Sequence, residues 1–474
     1  MLSKFLLQNF RSFGEEPLVL DMVSEHGVKS HAAHVCRPVE SLRVLRNAAI
    51  YGANAAGKST IVHGLSFMKA AVLGGMLPQG ALNQYCRAGA DYADEDSTFE
   101  IQFTSNGCAY DYGFTCSLKR YAVNSEWLYE LSSGQPKVLF RRDAGSQIEL
   151  GVELDQRLTA AEKTRFEIYR DDFISTLRDN AALLFLPAVG VGKQYDAGSG
   201  FAAFATACNW FIGQLQVMGA GQPSPTSKFY SSSKTLDDVA RVLGALDTGI
   251  SGLSKREISL DDLEKYVDFG VAMTVRQFLA APATPGNSAS LALTVRTGAS
   301  FIGVEKAVGK EPKLTVLDIR HRGSSYGFDF GEESDGTKRL FDFMDFLFSR
   351  RNDCVFVVDE IDRSLHPMLT EKLVGLFNEV HKADFSQLIF TTHESGLMDF
   401  AYFLKDEIWF VDRDGRGESR LYSLADFDGV RSDARLAKNY LNRRYGGVPV
   451  LEMGEALAAL SCEEAVDSAR SVFI

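Results

Sequence analysis

Residues 52–59 read Gly52-Ala53-Asn54-Ala55-Ala56-Gly57-Lys58-Ser59, which fits G-x-x-x-x-G-K-[ST]. In such a loop small side chains let consecutive backbone N–H groups curl around phosphate oxygens. The helix that follows adds the positive end of its dipole. The flanks are those the motif demands. An apolar strand covers about 44–51, and Ile61, Leu65, Met68 and Val72 then recur at helical spacing. On this reading Lys58 reaches the β- and γ-phosphates of ATP, and the Ser59 hydroxyl coordinates Mg²⁺. Gly52, Asn54, Ala55, Ala56, Gly57 and Thr60 complete the cradle. A chance glycine-rich turn would share the composition but not the strand before it and the helix after it.

The loop needs acids opposite it. The run Val355-Phe356-Val357-Val358-Asp359-Glu360 is an apolar strand ending in two carboxylates. Asp359 at the strand's edge can hold Mg²⁺ through water. Glu360 is then placed as general base for the attacking water. Strands often end in solvated acids, so the pair gains its meaning from Lys58. After the next apolar strand, Gln387–Thr391, comes Thr392-His393. A histidine there can hydrogen-bond a γ-phosphate and sense its loss, or it can be a plain polar strand end. Ahead of the acids lies Glu332-Glu333-Ser334-Asp335-Gly336-Thr337, leading into a helical run over 338–348. Ser334, Asp335 and Gly336 at a helix N-terminus make a second phosphate-binding turn; an ordinary N-cap has the same residues.

Around these motifs the pattern divides the chain into three. Residues 1–150 hold the Lys58 loop and a β-rich part, in which FEIQF, YDYGFTCSL, YAVNSEWLYEL and KVLFRR are separated by Asn106-Gly107, Lys119-Arg120 and Gly134. Residues 151–300 form a helical and mixed insertion. Phe166, Tyr169, Phe173 and Leu177 share one helical face, 201–216 is a second helical run, and 219–234 is a loop. Residues 301–474 form an α/β lobe with buried parallel strands at Val355–Val358, Gln387–Thr391 and 408–411. The expected fold class is therefore α/β, a P-loop NTPase with an antiparallel β subdomain and an inserted helical segment.

The length of 474 residues allows two or three cores, and no apolar run is long enough to cross a membrane. No signal peptide is expected at the N-terminus. Seven scattered cysteines with no CxxC spacing suit a reducing cytoplasm. The net charge of −12 gives no support to nucleic-acid binding. His26, His31, His34 and Cys36 cluster, but at no standard metal spacing, so they read as structural. Arg431, Arg435, Lys438, Arg443 and Arg444, with Tyr440 and Tyr445 interleaved, read first as a solvated helix face and second as a contact to nucleic acid or a partner.

The order of the motifs resembles ABC-type ATPases of the SMC, RecF and OLD group, often labelled AAA family ATPases. The resemblance runs through Asn9-Phe10-Arg11-Ser12-Phe13, the Lys58 loop, Ser334-Asp335-Gly336-Thr337, Asp359-Glu360, Ser364-Leu365-His366-Pro367 and Thr392-His393. It is closest to the compact ATPases of phage-defence operons, the RloA-like and PARIS-type (AriA-like) proteins, through DEIDRSLHP, QLIFTTHES and NYLNRRYGGVP. The resemblance implies that Arg11 contacts nucleotide phosphate. It also implies that Ser334 reaches the γ-phosphate held by a second subunit and that His366 sits at the subunit interface. It implies a homodimer or higher oligomer around ATP, a phage trigger protein, and a separately encoded nuclease or toxin effector. OLD nucleases carry a TOPRIM domain after the ATPase, whereas the 81 residues after His393 leave no room for one. Two departures stand out. The signature turn lacks the double glycine of ABC transporters, and the Q-loop glutamine has two candidates, Gln84 and Gln102. A RecF-like DNA-repair ATPase is the rival reading, and an ATP-dependent scaffold with negligible turnover is a third.

Overall fold

In the computed structural model the two ends of the chain build one sheet. Residues 1–24, 31–131, 135–143, 147–224, 228–231, 233–280, 291–306, 311–348, 353–431 and 433–449 are described by the structure. The strand Asn47–Gly52 lies between Gln387–Thr391 and Ile408–Arg413 and runs parallel to both. Val355–Val358 continues the parallel set beside Gln387–Thr391, and Leu215–Met218 forms that edge. Ser419–Ser423 closes the other edge antiparallel to Ile408–Arg413. The three central strands are buried at every residue. Covered on both faces, they have no reason to alternate polar and apolar residues, which is why they read as continuous apolar runs. The segments that follow Gly52, Val358 and Thr391 all leave at the sheet's carboxyl edge, where open α/β sheets bind ligands.

Two expected elements differ. The strand expected over 44–51 is two strands in different sheets. Leu42–Leu45 pairs with Val35–Val39, and Asn47–Gly52 enters the core. The break falls at Arg46, whose buried guanidinium donates to the carbonyls of Ala33, Asp384 and Ser386 at 2.8–2.9 Å. A side chain that must satisfy three carbonyls sets the crossing point between the sheets. The second helical run, 201–216, is a helix over Ala202–Asn209 and a π-helical turn over Trp210–Gln214, after which Leu215 and Gln216 begin the edge strand.

A seven-stranded antiparallel sheet carries Leu2–Gln8 and Leu18–Asp21 beside Ser97–Ser105, Cys108–Ser117, Ala122–Leu131, Lys137–Arg142 and Ile148–Leu150. Asn106 and Gly107, at φ 52° and 76°, make the tight hairpin turn expected of Asn-Gly. Gly134 lies outside the described residues. The sheet packs on the helix Lys58–Gly74 through Phe5 and Leu7, against Gly64, where a Cβ would stand 2.9 Å from both side chains. Ile61, Leu65, Met68 and Val72 are all buried there, as their spacing predicts.

The helix Ala160–Leu177 buries Phe166 and Phe173, with Tyr169 and Leu177 half-buried beside them. Buried Glu126 accepts hydrogen bonds from the backbone N–H of Phe185 and Leu186 and from Tyr112, and so ties the helical segment to the antiparallel sheet. A third sheet joins Ile250–Ile258, Lys313–His321, Phe301–Lys306 and Leu291–Arg296, with Gly327–Asp329 on Lys313–His321. It leads directly into the helix Asp335–Phe348.

Candidate functional site

The loop after Gly52 is shaped by backbone that other residues resist. Ala55 and Gly57 are left-handed at φ 60° and 112°. A Cβ on Gly57 would strike Ser12 Oγ and Ser419 Oγ, so only glycine lets the loop pass between the N-terminal turn and the last core strand. Both serines grip it. Ser419 Oγ donates to Ala56 O at 2.6 Å, Ser419 N donates to Ser12 O, and Ser12 Oγ lies 3.2 Å from Thr60 Oγ1. Lys58 sits inside the curl and donates to Gly52 O and Ala53 O at 2.8 and 2.9 Å. Burial pulls its ammonium down to about 8, against the opposing pull of Asp359, Glu360 and Asp362. A cation whose hydrogen bonds go to backbone carbonyls, next to a helix N-terminus, fits an incoming phosphate.

The acids stand across a cavity of about 790 Å³ lined by Lys58, Ser59, Thr60, Glu360 and His393, with Arg11, Asn54, Ala55 and Gly57. Gly52, Ala56 and Asp359 lie behind this lining. Asp359 is buried, and its Oδ1 accepts from Thr391 Oγ1 at 2.6 Å. The same hydroxyl accepts from Glu360 N at 2.8 Å. Glu360 is left-handed, φ 51°, and its half-exposed carboxylate is 3.8 Å from Arg363. Arg339 donates to the carbonyls of both acids at 3.2 Å from behind. His393 is kept below its ordinary range, first by burial and then by the charge of Lys58, so its imidazole is neutral at neutral pH. Its backbone N–H faces Asp362, which also accepts from Thr392 Oγ1 at 2.7 Å.

Ser59 and Asp359 supply a hydroxyl and a carboxylate, hard oxygen donors suited to Mg²⁺. Together with the glycine-shaped curl and Lys58, the donor set fits a Mg-nucleotide. Ser12, Thr391, Asp362 and Ser419 went unread in the sequence. Thr391, Asp362 and Ser12 sit within the quoted motifs, while Ser419 matters only through contacts across the fold. Gln84 lines the cavity; Gln102 is on the antiparallel sheet, bonded to Asp111.

Ser334, Asp335, Gly336 and His366 do not line this cavity. Ser334 caps its own helix, with Thr337 N donating to its Oγ at 3.1 Å. A Cβ on Gly336 would come 2.8 Å from Ser364 O, so the signature turn packs on the Ser364-Leu365-His366-Pro367 loop. His366 caps the helix Pro367–Val380. Asp335, Arg339, Arg363 and Ser364 line a separate cavity of about 270 Å³.

The other clusters resolve into packing. His34 bonds Glu407 at 2.8 Å and His31 bonds Phe400 O; His26 lies outside the described residues. Tyr440 and Tyr445 are buried and stack on Phe410 at 5.6 and 5.7 Å, so they are not interleaved with the arginines on a surface. No helix among the described residues is long and apolar enough to cross a membrane.

The parallel strand set, the Lys58 loop and the convergence of three strand ends are those of a P-loop NTPase. A family model described as "AAA domain, putative AbiEii toxin, Type IV TA system" matches residues 48–399. Among solved structures the chain is similar to the SmcHead bound to the C-winged helix domain of ScpA, at 15% identity and TM-score 0.40, covering 89% of this chain and 97% of that one. It is also similar to the SMC head domain from Thermotoga maritima, at 15% identity and TM-score 0.33, covering 89% and 98%. No curated protein matches the sequence.

Proposed function

The chain belongs to the AAA domain family described as putative AbiEii toxin, Type IV TA system, and from that premise we propose that it binds ATP at Lys58 and hydrolyses it between two copies of itself. One observation carries the reading. The helix N-terminus at Lys58, the acid after Asp359 and His393 leave three separate strands and meet around one cavity.

In this scheme Lys58 and the loop amides bind the β- and γ-phosphates, and Arg11 faces them from the N-terminal turn. Ser59 and Asp359 would hold Mg²⁺, which would supply charge neutralisation on the phosphates. Glu360 takes the proton of the attacking water. Neutral His393 hydrogen-bonds the γ-phosphate, and Asp362 fixes its backbone. Ser334, Asp335 and Gly336 face outward with His366, so their phosphate partner belongs to a second copy, bound as a homodimer or larger ring. Closure on ATP then changes the surface that the helical segment presents.

The family description, together with the likeness of DEIDRSLHP and QLIFTTHES to RloA-like and PARIS-type proteins, supports a role in phage defence. There the ATPase answers a phage trigger and holds or releases a separately encoded nuclease or toxin. Such coupling requires the effector to bind one nucleotide state better than the other.

Glu360→Gln tests the scheme. The amide keeps shape but cannot accept a proton, so phosphate release should fall by about 10²–10⁴ while ATP binding persists. The variant should also accumulate a larger species by light scattering with ATP and Mg²⁺. Wild-type turnover in this variant would remove Glu360 as the base. Co-purification of a neighbouring gene product, with and without ATP, tests the effector.

A further inference from the structure

The second cavity, of about 270 Å³, is unevenly charged. The helix Asp335–Phe348 gives it Asp335, Lys338, Arg339 and Asp342. Arg296 comes from the end of Leu291–Arg296, and Arg363 from the loop after Glu360. Two of these six cancel. Arg296 pairs with Asp342 at 3.2 Å, both side chains are buried, and Ser224 N donates to the same carboxylate. Three cations, Lys338, Arg339 and Arg363, then stand against the single exposed acid Asp335.

What these cations touch does not match their charge. Lys338 Nζ donates to Gly331 O at 2.8 Å. Arg339 is buried and donates to the carbonyls of Asp359 and Glu360 at 3.2 Å and to Met218 Sδ at 3.5 Å. Its Nε has no partner among the described residues. Burial holds this guanidinium below its ordinary range, and repulsion from Arg363 adds to the shift, against Asp342, Glu360 and Asp359. Arg363 meets an acid at Glu360, but at 3.8 Å, which is too long for a hydrogen bond. The loop across the cavity makes room for it. Gly221 is left-handed at φ 66°, and a Cβ there would stand 2.6 Å from Arg363 Nη1. The N-terminus of Asp335–Phe348 adds the positive end of its dipole. Two guanidinium forks and an ammonium around one cavity, short of anions, form the donor set that selects a tetrahedral oxyanion.

We propose that this cavity binds a dianionic oxyanion, either inorganic phosphate or the phosphoryl group of a monoester, between Lys338, Arg339 and Arg363. The site is separate from the Lys58 cavity and goes beyond the nucleotide reading. It is complete within one copy of the chain, because neither Ser334 nor His366 lines it. An anion here shares Arg363 with Glu360, so filling the site loosens the ion pair between those two side chains.

Calorimetric titration of the full Lys58→Ala chain with sodium phosphate, at constant ionic strength, tests this. The substitution takes the phosphate-loop cation out of the measurement. Phosphate and sulfate should each bind saturably at one site, with no change of size by light scattering. Chloride and acetate should not bind. Arg363→Gln and Lys338→Gln, neither at a buried position, should each fold and weaken phosphate binding by at least about tenfold, the loss of one charge-assisted contact. Arg363→Lys keeps the charge but not the fork and should fall between. Glycerol 2-phosphate separates the two sources. Equal affinity assigns the site to phosphoryl groups of larger molecules and rejection assigns it to the free ion; both uphold the oxyanion site. The inference is overturned if phosphate does not bind, if acetate binds as tightly, if both glutamine variants stay within about twofold of the parent, or if binding appears only with a larger species. None of these results bears on the Lys58 loop, which ATP titration of the wild type tests separately.

Discussion

Thr391→Val removes one hydroxyl and nothing else of size, and the structure gives that hydroxyl two tasks. It donates to Asp359 Oδ1 at 2.6 Å and accepts from Glu360 N at 2.8 Å, in a position with no exposure to solvent. A hydrogen bond to a charged group is worth about 1.5–3 kcal/mol, and a buried N–H left without an acceptor costs about 1–3 kcal/mol. Taking the lower half of each range, the variant should be destabilised by about 3 kcal/mol. In a chain of 474 residues that lowers the midpoint of thermal unfolding by about 3 °C. The second effect is on turnover. Glu360 is held at φ 51°, a conformation that costs of order 1–2 kcal/mol in a residue with a Cβ. Its N–H bond to Thr391 holds it there together with the bonds its carbonyl accepts from Arg339 and Arg363 N. Released, the carboxylate shifts, and a displacement of about 1 Å can cost about 10²-fold in rate. The assay is steady-state phosphate release beside ATP titration and calorimetric unfolding. Turnover should fall at least about tenfold while ATP affinity changes little, and Thr391→Ser, which keeps both bonds, should match wild type. A valine variant with wild-type turnover would show that Glu360 is not held by this bond, or is not the base.

Two further outcomes follow from Lys58. Lys58→Ala should abolish ATP binding and leave the unfolding midpoint within a few degrees; a folded variant with unchanged affinity would refute the assignment of the loop. ATP affinity should be flat below pH 8 and fall above it by up to about tenfold per pH unit. Burial has lowered the Lys58 ammonium to about 8, and bound phosphate must restore its proton. The sign for stability is opposite. The buried charge is unfavourable below pH 8, and the penalty fades as the group deprotonates between about 8 and its unfolded value near 10.5. Affinity that rises with pH would contradict the reading.

The phosphate loop, the acid pair and His393 were legible because each is a local pattern: a fixed spacing, or an apolar run ended by a functional group. The residues that hold them were not. Ser419 meets Ala56 across 363 positions, and Asn9 meets Cys86 across 77. No window of sequence contains both partners. Thr391 reads as one more β-former in a buried strand, and its role appears only beside Asp359 and Glu360. Leu215–Met218 is four residues long and becomes a strand because Val355–Val358 offers it an edge, a tertiary effect that overrides the local helical pattern. Tyr440 and Tyr445 alternate with arginines and so resembled a basic-aromatic stripe. In the fold they turn inward because Phe410 and Tyr51 present aromatic faces on that side of the sheet.

Where the chain holds unfavourable backbone is itself informative. Of the twelve non-glycine residues at positive φ among the described residues, four line the Lys58 cavity, Arg11, Ala55, Asn83 and Glu360; Asn9 lies in the turn beside it, and Ser364 lines the second cavity by the signature turn. Such residues persist only where their surroundings over-determine them. Here the surroundings can be named for most of them. Asn9 is fixed by its amide bonds to Tyr92, Glu95 and Cys86, Arg11 by its N–H to Gln84, Glu360 by its N–H to Thr391, and Ser364 lies under Gly336. Asn106 and Asp247, by contrast, sit at turns remote from the cavity, where left-handed Asn and Asp are ordinary. The inference runs from these outliers to the site: unfavourable backbone stands at the turn after Leu2–Gln8 of the antiparallel sheet and beyond the carboxyl ends of Asn47–Gly52 and Val355–Val358 of the core sheet, so that the loop and the acids stand ready before a ligand arrives.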